Sequence, residues 1–402
     1  MANPYVEIFR APGAAAFCAA GFLARLPLPM VTIGIVTMIS QTHGRYGLAG
    51  AVAATFAVTN ALVSPRISRL VDRHGQARVV VPATVVAVAA LLGLVANARA
   101  GGPAALLFLC AVFAGVMPSM AALVRARWTA IYRGMPQLHT AFAFESILDE
   151  LTYMFGSVAA IGLSLSLFPE AGPLAAALLL AVGSALFVAQ RRTEPVPHPH
   201  GGRSGGPAIR IPVVRTVALL MLAVGVIFGT AEVSVIAYCA ALGEPEAASL
   251  VLAGYSLGSL AVGIVYGLRR PRMPLARQLV IAMAIVMLTT LPPLLVGDVA
   301  GLTVALFLAG GAISPSFIVA CGLIARLVPG GKLTESITWA MTGIGLGMAI
   351  GSIGSGYVID AFGAQSGFWI SVGAGVLAVS IVIFCYAALS EPGRGGEQPA
   401  PA

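Results

Sequence analysis

Long apolar runs separated by short polar segments occupy most of the chain. A helix that crosses a membrane needs roughly 20 apolar residues at about 1.5 Å each, whereas the strands of a membrane barrel would show short alternating patterns. The pattern predicts spans over residues 12–39, 47–65, 79–97, 103–124, 138–167, 173–190, 213–241, 248–268, 276–296, 301–325, 334–361 and 367–389. We therefore expect an all-α membrane protein with 12 transmembrane helices and no separate domain outside the membrane.

The composition excludes the common classes of soluble protein. Of the 402 residues, 58% are hydrophobic and 9% are charged, whereas a soluble domain carries about 25% charged residues. So few charges cannot cover a water-facing surface of this size, and a disordered chain would need the opposite balance. The five cysteines lie in five different spans without a metal-ligand spacing. We expect them to be packing residues, and we expect neither a metal site nor a cofactor.

The basic residues predict the topology. If the N-terminus is cytoplasmic, all but three of the 23 Lys and Arg residues lie on the cytoplasmic side, including the three arginines within residues 125–133. Arg45 and Arg99 lie outside, and Arg25 lies within the first span. This distribution follows the positive-inside rule, so we expect a multi-pass protein of the cell (cytoplasmic) membrane with both termini in the cytoplasm. Topology and contact with the lipid bilayer account for the net charge of +8, and no nucleic-acid partner is expected.

A change of composition divides the chain into two halves. Residues 191–212 are rich in Pro, Gly and Arg and have no apolar period, which is typical of a flexible linker. We expect an N-terminal six-helix bundle over 1–190, this cytoplasmic linker, a C-terminal six-helix bundle over 213–390, and a cytoplasmic tail over 391–402.

The two halves are similar to each other in sequence. LHTAFAFESILDELTYMFG (138–156) aligns without gaps on LTESITWAMTGIGLGMAIG (333–351), and Pro-Ser pairs occur at Pro118 and Pro315 in the middle of the fourth and tenth spans. A duplicated unit of spans that handles substrate at its interface is how many secondary transporters are built. We therefore expect two pseudo-symmetric bundles.

The loop between the second and third spans carries a recognisable signature. SRLVDRHGQAR (68–78) resembles the loop signature G-x-L-A-D-R-x-G-R-K of the major facilitator superfamily, with Leu70, Asp72, Arg73 and Gly75 at matching positions. The resemblance, together with the twelve spans and the central linker, covers nearly the whole chain. It implies two six-helix bundles that rock about a central cavity.

The signature loop has a physical reason for its residue types. Glycine at position 75 allows a tight turn with positive φ. Asp72 can interact with the positive N-terminal end of a neighbouring helix, which the resemblance implies is the eleventh span, beginning near Thr334. Asp72, Arg73 and Gly75 would then latch the outward-open state. The alternative is that the arginines of the loop only enforce topology.

Three acids lie inside the fifth span. A charge at the bilayer centre costs at least about 2.5–3.5 kcal/mol, so such residues are candidate functional groups. Glu145 and Asp149 are four residues apart and share a helix face, whereas Glu150 points about 100° away from Asp149. Two carboxylates one turn apart in a low dielectric cannot both stay ionised at low cost. We expect one of them to carry a proton near neutral pH.

Arg25 is the obvious counter-charge for these acids. By the helical rise it stands about 21 Å along the first span, and Asp149 stands about 16 Å along the fifth. The resemblance makes these helices neighbours, so we expect Arg25 to pair with Asp149 or Glu145 and protons to compete with that pair. The alternative is a static ion-pair cluster. The aligned positions in the second half carry no charge, which favours the first half as the proton-coupling half.

Further candidates would form a substrate cavity. Glu232, in the outer part of the seventh span, could bind a cationic substrate, serve as a second proton site, gate the outer side, or extend to the membrane interface. Aromatic, methionine and amide side chains in the spans could form an adaptable pocket or simply pack against helices or lipid. The candidates are Tyr153, Tyr238, Asn60, Phe317, Trp339, Met117 and Met120.

The function that this pattern favours is a proton-coupled exporter of small amphipathic or cationic compounds, working as an antiporter. The alternative is a proton symporter that imports a small anionic or zwitterionic metabolite, with Arg25 as its anion anchor. The chain contains no HExxH, GxSxG or P-loop motif, which disfavours an enzyme. We expect the partners to be a small-molecule substrate and protons, and we expect a monomer.

Overall fold

The computed structural model describes residues 3–43, 46–197, 206–244, 247–269 and 273–390. The predicted tail over 391–402, the middle of the predicted linker and Arg45 lie outside the described residues. The chain divides into two compact units. The first comprises Met1–Ile131 and Leu148–Ser204, and the second comprises Tyr132–Ile147 and Gly205–Ala402.

The first half of the described chain is made of α-helices. They are α1 (Pro4–Ile8), α2 (Ala14–Arg25), α3 (Pro27–His43), α4 (Tyr46–His74), α5 (Gln76–Arg99), α6 (Ala104–Ala114), α7 (Met120–Tyr132), α8 (Gln137–Ser166) and α9 (Ala171–Ala189). A short 3₁₀ turn, Arg191–Thr193, follows α9. The part of α8 before Leu148 belongs to the second unit.

The second half has the same character. Its α-helices are α10 (Pro212–Ala241), α11 (Ala247–Leu268), α12 (Leu275–Thr289), α13 (Val299–Leu327), α14 (Leu333–Phe362), α15 (Phe368–Phe384) and α16 (Tyr386–Ser390). The 3₁₀ turns are Ala208–Arg210, Pro292–Leu294, Gly330–Lys332 and Ala364–Gly367.

The predicted spans are present as helices. Ten helical stretches of the described chain are long and apolar enough to cross a membrane. The fourth and fifth predicted spans are not among these ten. The fifth is α8, which carries three carboxyl side chains. The fourth predicted span is present as two helices, because residues 115–119 are not α-helical and separate α6 from α7.

The core of the first unit consists of side chains from α3, α4, α5, α6, α8 and α9, together with Met117 between α6 and α7. Large members such as Ile35, Phe56 and Leu91 are at most 1% exposed. Trp128 of α7 packs against the start of the chain in the same unit. Its ring lies edge-to-face with that of Phe9, before α2, at 5.9 Å and with that of Phe17, in α2, at 4.7 Å.

Glycine determines how closely helices of the second unit approach. Gly225 and Gly229 of α10 lie against the backbone of α14, and Gly343, Gly347 and Gly351 of α14 lie against the backbone of α10. A Cβ at any of these positions would overlap a backbone carbonyl oxygen of the facing helix. Glycines four residues apart allow this spacing, as in other membrane helix pairs.

Candidate functional site

Arg25 lies at an interruption of the first span. α2 ends at Arg25 and α3 begins at Pro27, whose ring removes an N–H from the helical hydrogen-bond ladder. Gly156 of α8 packs against this junction, because a Cβ there would come within 2.7 Å of Cγ of Pro29. This close approach places α8 beside the end of α2.

Asp149 of α8 accepts hydrogen bonds from two arginines. Arg25 Nη1 donates to Oδ1 at 2.9 Å, and Arg125 Nη2 donates to Oδ2 at 2.5 Å. The Arg25 and Arg125 side chains are 4% and 0% exposed, and that of Asp149 is 24% exposed. Each carboxylate oxygen therefore has its own guanidinium partner, which makes both hydrogen bonds charge-assisted. The pairing of Arg25 with Asp149 is confirmed, while its part in proton coupling stays a prediction.

Sequence reasoning does not identify Arg125 as part of this cluster. The positive-inside count treats it as a topology charge, but its side chain is fully buried and its guanidinium reaches Asp149. A signal was available in the sequence. The apolar run Met120–Val124 leads into Arg125 without a glycine, a proline or a polar residue, which favours continuation of the helix through the arginine.

The other acids of α8 have different surroundings. Glu145, one turn before Asp149, is 0% exposed. Glu150 is half-buried, and the Tyr153 side chain is 50% exposed. The spacing therefore puts a fully buried carboxyl group on the same helix face as the carboxylate that the two arginines share.

The second unit contains the other intramembrane acid. Glu232 of α10 is half-buried, and no hydrogen-bond or ion-pair partner for it occurs among the described residues. Phe317 of α13 is buried, and Trp339 of α14 is half-buried. The indole Nε1–H of Trp339 is buried and likewise lacks a hydrogen-bond partner in the described part of the chain.

Tyr238 is part of a packed cluster in the second unit. Its hydroxyl donates to the carbonyl oxygen of Val296 at 2.8 Å, and its ring lies edge-to-face with that of Phe368 at 6.4 Å. The side chain is 7% exposed. These contacts give Tyr238 a structural role, and its assignment to a substrate cavity stays a prediction.

Three cavity candidates of the first unit lie at the interruption of the fourth span. Asn60 of α4 donates from Nδ2 to the carbonyl oxygens of Gly115 and Met117, at 3.1 and 3.0 Å. Met117 and Met120 are each 3% exposed. Asn60 therefore supplies hydrogen bonds to carbonyl groups that the interrupted helix leaves without intrahelical partners.

The signature loop lies between α4 and α5. Gly75 has φ of 92°, so the positive φ expected there is confirmed. Asp72 is buried and Arg73 is half-buried, and their role as a latch stays a prediction. Glu194, just after α9, accepts a hydrogen bond from the backbone N–H of Ala77 at 2.9 Å, which places a carboxylate at the positive N-terminal end of α5.

Arg127 is a second buried arginine that the charge count treats as cytoplasmic. Its guanidinium donates to Oε1 of Gln76 at 2.8 Å, to Oγ1 of Thr193 at 2.8 Å, and to the carbonyl oxygens of Gln190 and Phe187. It also lies 3.8 Å from the ring centroid of Phe187. These contacts join α7 to the start of α5 and to the beginning of the predicted linker.

No group of three or more His, Cys, Asp or Glu side chains among the described residues could hold a metal ion.

Comparison with solved structures shows the same fold at low sequence identity. A bacterial homologue of the iron transporter ferroportin in an outward-facing state aligns with a TM-score of 0.72 and 16% identity, over 93% of this chain and 99% of that one. The human organic anion transporter MFSD10 (TETRAN) gives 0.70 and 14%, over 92% and 99%. The E. coli fucose:proton symporter FucP gives 0.69 and 15%, over 93% and 98%.

Comparison at the level of sequence identifies the family. A search of curated protein sequences finds no match. The sequence model of the family described as Major Facilitator Superfamily matches residues 15–291 and 233–402. These matches cover nearly the whole chain and agree with the signature loop and with the all-helical structure. The chain is a multi-pass membrane protein that belongs to the Major Facilitator Superfamily of transporters.

Proposed function

We propose that the chain is a proton-coupled secondary transporter that exports small amphipathic or cationic compounds by alternating access, in the cytoplasmic membrane with both termini inside. The observation that carries the proposal is the charge balance around Asp149. Three carboxyl groups lie within six residues of α8, and two buried guanidinium groups are bound at Asp149. In a low dielectric, a carboxyl group one helical turn from another acid is neutralised at lower cost by a proton than by remaining charged.

Within this cluster we assign different roles to the acids. Asp149 orients Arg25 and Arg125 by binding both. Glu145, fully buried one turn away, carries the proton. Side chains four residues apart on a helix lie about 5–6 Å from each other at Cβ, so release of the proton from Glu145 places a second negative charge beside Asp149 on the same helix. Protonation and the arrangement of α2, α7 and α8 are thereby coupled.

The substrate side of the proposal rests on Glu232. A half-buried carboxylate without a partner among the described residues is costly, and a cationic group of a substrate supplies the missing counter-charge. The buried, unpartnered indole N–H of Trp339 offers a separate polar contact in the same unit. The carboxylate of Glu232 favours a cationic substrate, and the indole N–H favours a substrate that also carries a hydrogen-bond acceptor.

A second candidate is proton-coupled import of a small organic anion. It is favoured by the two guanidinium groups that converge on one carboxylate, since the carboxylate of a substrate could replace a protonated Asp149. The similarity to a protein described as an organic anion transporter agrees with this candidate.

Transport in proteoliposomes tests both candidates. Vesicles with an acidic lumen are supplied with ethidium, a permanent cation, and vesicles in an acidic external buffer are supplied with toluenesulfonate, a permanent anion. An antiporter is expected to take up ethidium as protons leave the lumen, and nigericin is expected to abolish this uptake. Toluenesulfonate uptake driven by external acid would instead support the anion importer. If neither ion moves with the pH gradient, the proposed function is wrong.

Three variants assign the roles in the same assay. Glu145→Gln is expected to remove the response to the pH gradient, and Glu232→Gln is expected to raise the KM for ethidium. Glu244→Gln is the matched control, because Glu244 is an exposed acid of the same unit. If Glu244→Gln and Glu232→Gln change ethidium transport equally, Glu232 is not the substrate site.

A further inference from the structure

The interruption of the fourth span has no counterpart in the second half of the chain. α6 ends at Ala114 and α7 begins at Met120. The aligned Pro-Ser pair at Pro315 lies inside α13, which is continuous from Val299 to Leu327. The Pro-Ser pair alone therefore does not explain the interruption.

Side chains of α4 hold the interrupted segment in place. Besides the two hydrogen bonds from Asn60 to the carbonyl oxygens of Gly115 and Met117, the Ser64 hydroxyl lies 3.4 Å from the Met117 oxygen. Gly115 allows the approach, because a Cβ there would lie 2.7 Å from Cβ of Thr59. Carbonyl groups left unpaired inside a membrane protein are costly, so these bonds stabilise the interruption.

The helix that follows the interruption carries Arg125, one of the two arginines of the ion cluster. Arg125 is the sixth residue of α7, and its Nη2 atom reaches Oδ2 of Asp149 at 2.5 Å. A continuous helix would fix the direction of Arg125 by the constant rotation of about 100° per residue from α6. The interruption removes this constraint, so the direction of Arg125 depends on how the start of α7 is held.

The second half of the chain gives an independent comparison. At the offset that aligns Pro118 with Pro315, the position of Arg125 corresponds to Gly322 of α13. The half with a continuous helix therefore has no arginine at this position, and the half with the arginine has the interruption.

From these observations we propose that Asn60 is a positioning residue for the Arg125–Asp149 pair. By binding the carbonyl groups of Gly115 and Met117, it sets the orientation of α7 that brings Arg125 to Asp149. Asn60, which the sequence placed among the candidates for a substrate cavity, thereby takes a role in positioning α7. It rests on the proposed function only in that the pair belongs to the proton-coupling cluster.

A thermal double-mutant cycle tests the inference without any substrate. The melting temperature of the full-length protein in detergent is measured for Asn60→Leu, Asp149→Asn and the double variant. If Asn60 acts through the ion pair, the loss of the double variant is expected to be smaller than the sum of the two single losses by more than about 1 °C. Additive losses would contradict the proposal. If Asp149→Asn cannot be purified, Arg125→Lys takes its place in the cycle.

Asn97→Leu is the matched control. Asn97 makes the same kind of bond, from Nδ2 to the carbonyl oxygen of Pro103 at 3.2 Å, before α6 rather than before α7. Its loss in melting temperature is expected to add to that of Asp149→Asn. Equal coupling of Asn97 and Asn60 to Asp149 would also contradict the proposal.

A transport measurement adds a readout that a purely structural role would not change. Asn60→Asp keeps the shape of the side chain but replaces its N–H donors by acceptors. Its rate of gradient-driven ethidium transport is expected to fall by about tenfold with little change in KM, as for a displaced reacting group. An unchanged rate would contradict the proposal. If the wild type moves no probe, the proposed function is wrong, and the thermal cycle still decides the role of Asn60.

Discussion

The Nη2 atom of Arg125 lies 2.5 Å from Oδ2 of Asp149, although the two residues are 24 positions apart in the chain. The second carboxylate oxygen is bound by Arg25, 124 positions away. One carboxylate therefore binds two buried guanidinium groups from two other helices. Removing it leaves both cations without this partner, whereas removing either arginine leaves an ion pair intact.

Asp149→Asn is therefore expected to destabilise the protein more than Arg25→Gln. Breaking a buried pair by removing one partner costs about 3 kcal/mol or more, because a buried charge loses its counter-charge. The free energy of unfolding in mixed micelles measures this effect. The same variant is expected to abolish transport driven by a pH gradient in proteoliposomes.

Glu150→Gln is the control for this prediction. Glu150 is adjacent in sequence and half-buried, and helical geometry directs it about 100° away from Asp149. It is expected to change stability by less than Asp149→Asn. An Asp149→Asn protein as stable as the wild type would show that the two ion pairs contribute nothing to the fold.

Arg127→Lys is expected to lower stability by about 3 kcal/mol, since hydrogen bonds to charged groups contribute about 1.5–3 kcal/mol each. An ammonium group cannot reproduce the planar guanidinium that binds Gln76 and Thr193 while it stacks on Phe187. The melting temperature in detergent measures the loss. Arg191→Lys is the control, because Arg191 is exposed. Similar losses for both variants would contradict a specific role of the buried guanidinium.

Gly347→Ala tests the close contact between α10 and α14. A Cβ at this position would overlap the carbonyl oxygen of Leu222, so the helices must separate. We expect a loss of about 1–3 kcal/mol, typical of overpacking. Gly345→Ala, two residues earlier on the same helix, places its Cβ in open space and is expected to be tolerated. The yield and melting temperature of the two variants measure this difference. Equal values for Gly347→Ala and Gly345→Ala would contradict the packing argument.

The fold could be predicted because its signals are local. The long apolar runs and the signature loop around Asp72 and Gly75 can each be recognised within one short stretch of sequence. The pairing of Arg25 with Asp149 could also be predicted, because both stand in apolar spans at similar depths and the resemblance made their helices neighbours.

The buried roles of Arg125 and Arg127 could not be predicted in the same way. From sequence alone, an arginine near the end of an apolar run is interpreted as a charge at the membrane edge unless its partners are known. Those partners lie far along the chain, at Asp149 for Arg125 and at Gln190 and Thr193 for Arg127. The interruption of the fourth span depends in the same way on Asn60, which belongs to another helix.

Tyr238 and Tyr153 provide a test that separates packing from substrate contact. Tyr238→Phe removes the hydrogen bond to the carbonyl oxygen of Val296 and is expected to cost about 1 kcal/mol of stability. Because the Tyr238 ring is packed against Phe368, the KM for the transported probe is expected to stay the same. Melting temperature and ethidium KM are measured on the same preparations.

The comparison variant is Tyr153→Phe. Tyr153 is 50% exposed, whereas Tyr238 is 7% exposed, so less of the Tyr153 ring is packed inside its unit. This variant is expected to keep the melting temperature of the wild type and to change the KM for ethidium. A change of KM in Tyr238→Phe with no loss of stability would instead place Tyr238 in contact with the substrate, since a packed tyrosine cannot lose its hydrogen bond without a cost in stability.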